Sequence, residues 1–206
     1  MDEGRGWAQR LQAISQIGLA YAADPYDRDR YEQIRTIAIE MTAAVTGAEP
    51  GVVAAAFAAQ DGYATPKFDT RVAAFDAAGR VLLVRDAGDG GWTLPGGWGD
   101  VGSSPAENAI REVREESGYD VTLEKLVAVF DRERHPHVPK RIVHIYKLFF
   151  LGTIVGGEAT PSVETTEIGF FGEAELPPLS LERITPDELA RTFAHRRDRT
   201  LPTEYD

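Results

Sequence analysis

The chain has no cysteine. That excludes disulfides, thiolate metal sites and a cysteine nucleophile. Cations are scarce, with 22 Lys and Arg against 33 Asp and Glu and a formal net charge of -11. Such a chain repels long polyanions, so no stable nucleic-acid partner is expected. The four histidines show no zinc-ligand spacing on a recognisable helix. Long apolar runs are also missing. The most apolar stretches, Val52 to Ala59 and Ile142 to Leu151, are too short to cross a bilayer. The start, Met1-Asp2-Glu3-Gly4, lacks a basic segment followed by an apolar one, which predicts a cytoplasmic protein with no membrane partner. The 206 residues suffice for one core plus an accessory unit.

What is present centres on one stretch. Leu94-Pro95-Gly96-Gly97-Trp98-Gly99-Asp100 forms a glycine-rich loop that runs into a well-marked helix. Ser104 suits the N-cap, Pro105 the first turn, Glu107 completes a capping box and Gly118 a C-terminal stop. Ala106, Ala109, Ile110, Val113 and Ser117 recur at helical spacing and predict a small-residue face packed on a sheet. On the other side Glu112, Glu115 and Glu116 stand at i, i+3 and i+4 beside Arg111, so their carboxylates should converge. Like charges so placed repel. A hard divalent cation, Mg2+ or Mn2+, would offset the repulsion through carboxylate oxygens. The alternative is a solvated acidic face. Gly97 to Gly102 also fits the dinucleotide fingerprint G-x-G-x-x-G. It does not close the first strand of a repeated strand-helix-strand pattern, which is the context that fingerprint requires.

These residues resemble the Nudix box. Gly97 opens it, and Arg111, Glu112, Val113, Glu115, Glu116 and Gly118 fall on its fixed positions. Tyr119 puts an aromatic at the last apolar place, and Ser103 stands where the box has its first Glu. Asp100 is a candidate to take over the pairing of that Glu to Arg111. The resemblance implies an α+β chain: a Nudix-type α/β/α sandwich with a mixed sheet, residues 63–206, preceded by a small helical domain, residues 1–62. It implies divalent-metal-dependent hydrolysis of the diphosphate bond in nucleoside diphosphate-X compounds. Glu112, Glu115 and Glu116 would hold metal, with a backbone carbonyl from Gly96 or Gly97. Glu112 is a ligand or the general base, Arg111 orients the carboxylates, and Glu164 or Glu167 is the base if it lies in the loop before the final strand.

The helical start with Asp24-Pro25-Tyr26-Asp27-Arg28, then Gly62-Tyr63-Ala64-Thr65-Pro66-Lys67 and Leu176-Pro177-Pro178-Leu179-Ser180, is similar to a bacterial subgroup associated with CDP-choline and ADP-ribose pyrophosphatases. Two other readings stay open: a Nudix-fold nucleotide sensor that does not cleave, and a nucleoside triphosphate or RNA-end hydrolase.

The rest of the chain divides by period. Trp7, Leu11, Ile14, Gly18 and Tyr21 trace one face of a first helix. Asp24-Pro25 breaks it, Asp27 caps a second helix ending near Gly47, and a short helix covers Val52 to Ala59. So few helices make an insecure core, which predicts packing on the rest of the chain or on a second copy, as a homodimer. Period two begins at Lys67, with strands to about Ala74 and over Val81 to Val84, then Val121 to Asp131, Arg141 to Val155 and Ile168 to Phe171. Thr185-Pro186-Asp187-Glu188 starts a last helix running to about Arg197. Between the long strands, the basic segment Arg132 to Arg141 is either a solvated hairpin tip or a binding loop for diphosphate or base, which makes Arg132 and Arg134 candidate substrate residues. Trp98 is a candidate to stack on the base.

Overall fold

The computed structural model describes residues 3–206; the part of the leader reading that rests on Met1 and Asp2 lies outside them. The chain forms two compact units. The first takes residues up to Pro66 together with Pro139–His144, and the second takes Lys67–Val138 and Ile145–Asp206.

The first unit is three helices, α1 (Glu3–Tyr21), α2 (Pro25–Thr46) and α3 (Pro50–Ala58). Asp24, not Asp27, caps α2: its carboxylate accepts from the Tyr26 N–H at 2.7 Å, and Pro25 occupies the first turn. A proline needs no amide partner there, so the Asp-Pro pair that ends α1 also begins α2. The first helix turns a different face inward from the aromatic one. Arg5, Ala8, Ser15 and Gly18 are buried, while Trp7, Ile14 and Tyr21 stay exposed. The reason is close approach. A methyl at Gly18 would lie 2.3 Å from the Tyr31 ring, so only the small-residue face lets α1 and α2 come together. Ala38, Ala43, Val53 and Phe57 make the small core, and Leu11, Ile39 and Ile142 pack on it.

The second unit is a seven-stranded mixed sheet. It is built from β1 (Lys67–Phe75), β2 (Val81–Asp86), β3 (Trp92–Thr93), β4 (Tyr119–Asp131), β5 (Ile145–Gly157), β6 (Thr165–Phe171) and β7 (Glu204–Tyr205), with helices α4 (Pro105–Ser117) and α5 (Pro186–Arg197). β1 runs parallel to β5, β5 antiparallel to β4, and β7 parallel to β4. A hairpin brings Phe75 opposite Val81, and β2 then pairs antiparallel with β3 and β6. Alternation along β1 separates two cores. Val72 and Ala74 pack with Ala109 and Val113 of α4. Ala73 and Phe75 pack with Leu189 and Phe193 of α5. Each sheet face is thus covered by one helix, the expected sandwich.

Two local expectations are corrected. β5 begins at Ile145 rather than Arg141, because residues 139–144 belong to the helical unit, where the Arg141 carbonyl accepts from Arg5 at 2.6 Å. On α4, Ala106 and Ile110 are exposed and Asn108 is buried instead. The Asn108 amide has partners inside, so its burial costs little.

Candidate active site

The glycine loop lies along the edge of β1. The N–H of Val72 donates to the Pro95 carbonyl at 3.0 Å, Thr70 N–H to Gly97 at 2.8 Å, and Gly99 N–H to Phe68 at 3.1 Å. This close course demands glycine at Gly96, and at Gly97 a side chain would displace the Glu112 carboxylate. Gly96 has φ +144, and a methyl there would meet the Thr70 carbonyl oxygen at 1.9 Å; at Gly97 it would meet Glu112 Oε2 at 2.8 Å. With no side chains intervening, the carboxylates of α4 reach the loop backbone directly. The Gly96 N–H donates to Glu116 Oε2 at 2.9 Å.

The helix that carries them is fixed at both ends as the sequence predicts. The Ser104 and Glu107 capping box is complete and Gly118 takes the left-handed conformation. Arg111 is the hub of its exposed face. Its guanidinium donates to Glu115 at 2.6 Å, Asp100 at 2.7 Å, Asn108 Oδ1 at 2.7 Å and Glu112 at 2.9 Å. Asn108 Nδ2 in turn donates to Thr70 Oγ1 at 3.0 Å, tying the hub to β1. Asp100 does pair with Arg111. The three glutamates do not meet at one point, however: among the described residues no three His, Asp or Glu are grouped closely enough to hold one ion. Arg111 draws Glu112 and Glu115 to itself, and Gly96 draws Glu116.

Beneath the loop lies a buried ionic cluster that the sequence reading missed. The Asp69 carboxylate accepts from Arg71 at 3.0 Å and from Lys147 Nζ at 3.2 Å, and Arg71 also donates to the Leu94 carbonyl at 3.2 Å. A signal was present: Asp69 and Arg71 interrupt one face of an apolar strand at i, i+2, and Lys147 interrupts an apolar run. Burial raises the Asp69 pKa, yet Lys147 and Arg71 outweigh it and hold the carboxyl below its usual value. The glutamates go the other way. Burial lifts Glu116 to about 7 against the pull of Arg71, and burial likewise raises Glu112.

The other candidates are dispersed. Trp98 is half-exposed on the loop, its backbone bridged to Asp69. The Gly97 carbonyl takes the Thr70 N–H, which occupies one of its two lone pairs. Arg132 is buried, donating to the Glu182 carbonyl at 3.2 Å beside Glu133. Arg134 is exposed, 3.8 Å from Asp131. The basic segment begins as a 3-10 turn with Arg132 buried, and residues 139–141 at its end belong to the helical unit. Glu167 pairs with Arg85. Glu164 is exposed one residue from Thr165, whose hydroxyl donates to the Glu116 carbonyl at 2.6 Å.

A glycine loop closed on a capped helix, with Arg111 and three glutamates on its outer side, matches known proteins. Residues 66–200 fit the NUDIX domain model. The chain belongs to the Nudix family. Residues 3–57 fit a second Nudix-associated model, described as a UDP-X-like, N-terminal oligomerisation domain. YjhB of Bacillus subtilis, a candidate ADP-ribose pyrophosphatase, is 41% identical over 199 residues, covering 97% of this chain and 95% of its own. The crystal structure of a UDP-X diphosphatase superposes with TM-score 0.64 at 32% identity, covering 99% of this chain and 98% of that one. That of an ADP-ribose pyrophosphatase from Streptococcus suis gives 0.62 at 39% identity, over 69% of this chain and all of the other. The Nudix domain here is that of a pyrophosphohydrolase. Its donor set fits the divalent metal such enzymes use: three carboxylates, all hard oxygen donors, stand on one helix beside one guanidinium, Glu115 exposed and Glu112 and Glu116 set inward towards the glycine loop.

Proposed function

We propose that the protein hydrolyses the diphosphate bond of nucleoside diphosphate-linked compounds of the ADP-ribose, UDP-X or CDP-choline kind, releasing a nucleoside monophosphate and a phosphorylated X, with Mg2+ or Mn2+. The observation that supports this best is the bond from the Gly96 N–H to Glu116 Oε2, with the Glu112 carboxylate lying against Gly97 on the same loop. A metal bound there neutralises phosphate oxygens and acidifies the attacking water. Glu112, Glu115 and Glu116 are its proposed ligands, with room for a carbonyl from Gly97. Arg111 orients Glu112 and Glu115 through its two arms. Arg71, held by Asp69 and Leu94, lends a buried positive field that favours the charged form of Glu116. For the general base we favour Glu164 over Glu167, whose carboxylate is committed to Arg85; Glu112 is the alternative. Trp98, half-exposed at the loop, is the proposed base-stacking platform. Arg134 remains exposed and available to substrate, whereas burial leaves Arg132 a supporting role.

The test is nucleoside monophosphate release from ADP-ribose, UDP-sugars, CDP-choline and nucleoside triphosphates, each with Mg2+, with Mn2+ and with chelator. Metal-dependent cleavage of a diphosphate-linked compound well above the triphosphates is expected. Thermal stabilisation by one compound without any cleavage would favour the sensor instead. In the same assay Glu164→Gln should lower kcat by about 10²-fold, the usual contribution of a general base, with Glu167→Gln near wild type. The reverse order would move the base to Glu167.

We infer, second, that the helical unit pairs with a second copy, giving a homodimer, and that the protein acts in the cytoplasm. Trp7, Ile14 and Tyr21 repeat every seven residues along α1 and are 54%, 48% and 69% exposed. Residues seven apart fall on nearly one line along a helix, so these three make a single exposed apolar stripe, and the matching domain model is described as an oligomerisation domain. The double substitution Trp7→Glu with Tyr21→Glu should convert a dimer to a monomer in sedimentation velocity, leaving the far-ultraviolet circular dichroism unchanged. An unaltered sedimentation coefficient would place the interface elsewhere.

A further inference from the structure

We propose that Asp100 is the positioning residue that retains Arg111 when Glu112 and Glu115 turn to a divalent cation. The inference rests on the metal-dependent reading above. Arg111 has four acceptors in the structure, and two of them, Glu112 and Glu115, are the proposed ligands. A lone pair given to a guanidinium competes with one given to a metal. Arg111 must therefore have acceptors of its own, or it will contest the ligands. Those acceptors are Asp100 and Asn108, each at 2.7 Å.

Ser103, at the box position that departs from the pattern, carries no charge to serve this purpose. Asp100 lies three residues earlier, and its carbonyl accepts the Ser103 N–H at 3.2 Å, closing a turn. Its backbone is anchored as well. The Asp100 N–H donates to Asn108 Oδ1 at 3.2 Å, and buried Asn108 is bonded to Thr70 of β1. The carboxylate is thus presented to Arg111 from a fixed point on the sheet. The Arg111–Glu115 and Arg111–Asp100 pairs are both exposed, and an exposed pair taken singly is worth little; what sets Asp100 apart is that its backbone is anchored to Asn108, the other acceptor of Arg111, so the two hold the guanidinium together when Glu115 leaves it.

The experiment is Mn2+ binding to the full chain, followed by the electron paramagnetic resonance of the free ion. Wild type, Asp100→Asn, Asp100→Glu and Glu107→Gln are compared. Asp100→Asn should weaken Mn2+ binding about tenfold, the scale of outer-shell effects on metal affinity. Asp100→Glu, which keeps a carboxylate, should stay within about twofold of wild type. Glu107→Gln removes one negative charge from the same helix turn without touching Arg111 and keeps the capping box; it too should stay near wild type. Unchanged binding in Asp100→Asn overturns the inference. So does an equal loss in Asp100→Glu, or in Glu107→Gln, which would reduce the effect to bulk charge. A wild-type chain that binds no Mn2+ overturns instead the metal-dependent reading beneath it.

Discussion

Glu116→Gln should abolish turnover and, at pH 8 without metal, make the protein more stable. The two signs come from one carboxylate. Glu116 reaches the loop backbone at Gly96, and losing a proposed ligand so placed would forfeit much of the several kcal/mol by which a bound metal stabilises charge in the transition state. Its loss corresponds to a fall in kcat on the order of 10³-fold. Gln keeps an oxygen for the Gly96 N–H, so the loop stays in place. Burial meanwhile lifts the Glu116 pKa from its ordinary 4.5 to about 7. A raised pKa means that the folded state favours the protonated form. The associated stability is complete below about 4.5 and is lost as pH rises through about 7. That gap is worth roughly 3 kcal/mol. Metal-stripped wild type should therefore lose melting temperature between pH 5 and pH 8, and Glu116→Gln should lose much less. Metal binding below pH 7 should also release a proton, measurable in buffers of different ionisation enthalpy. Turnover within tenfold of wild type would remove Glu116 from the ligand set. Parallel melting profiles of the two proteins would show that its carboxyl titrates normally.

The difference between what the sequence shows and what it hides follows from range. The two ends of the box helix are legible to the residue, because Ser104, Glu107 and Gly118 act on backbone groups three or four positions away. The two-faced sheet was legible from the alternation of Val72, Ala73, Ala74 and Phe75. Long-range partners were not. Lys147 stands out as a charge in an apolar run, but that its partner is Asp69 follows only from β5 running parallel to β1 in that register. Asn108 reads as a helix-surface residue until Thr70 and Arg111 are seen on either side of it. Of the face that the periodicity of α1 predicts, Leu11 and Gly18 turn inward while Trp7, Ile14 and Tyr21 stay exposed, for a related reason. Aromatic residues dominate a periodicity count, but the distance between two helices is set by their smallest residues, here Ala8, Ser15 and Gly18.

Asp69→Asn should destabilise the second unit far more than Lys147→Met, although both break the same ion pair. Asp69 is a single carboxylate between two buried cations, Arg71 and Lys147, at 3.0 and 3.2 Å. Removing it leaves a guanidinium and an ammonium facing each other out of water. An uncompensated buried charge costs about 3–5 kcal/mol, and here the two like charges also repel. Removing Lys147 leaves Asp69 paired one to one with Arg71, two bonds to the guanidinium intact, and Met refills most of the apolar volume. Burial and Arg71 already push the Lys147 pKa down, so its charge is held at a cost that Met does not bear. Chemical denaturation followed by Trp92 and Trp98 fluorescence should give a midpoint drop several times larger for Asp69→Asn. Activity should separate them further. Arg71 fixes the Leu94 carbonyl at the entrance to the glycine loop, and without Asp69 it is drawn towards Glu112 and Glu116, the proposed ligands. Asp69→Asn should then need more metal for half-maximal activity even where it is fully folded, while Lys147→Met should not. Equal destabilisation by the two variants would mean that the cluster depends on Lys147 as much as on Asp69.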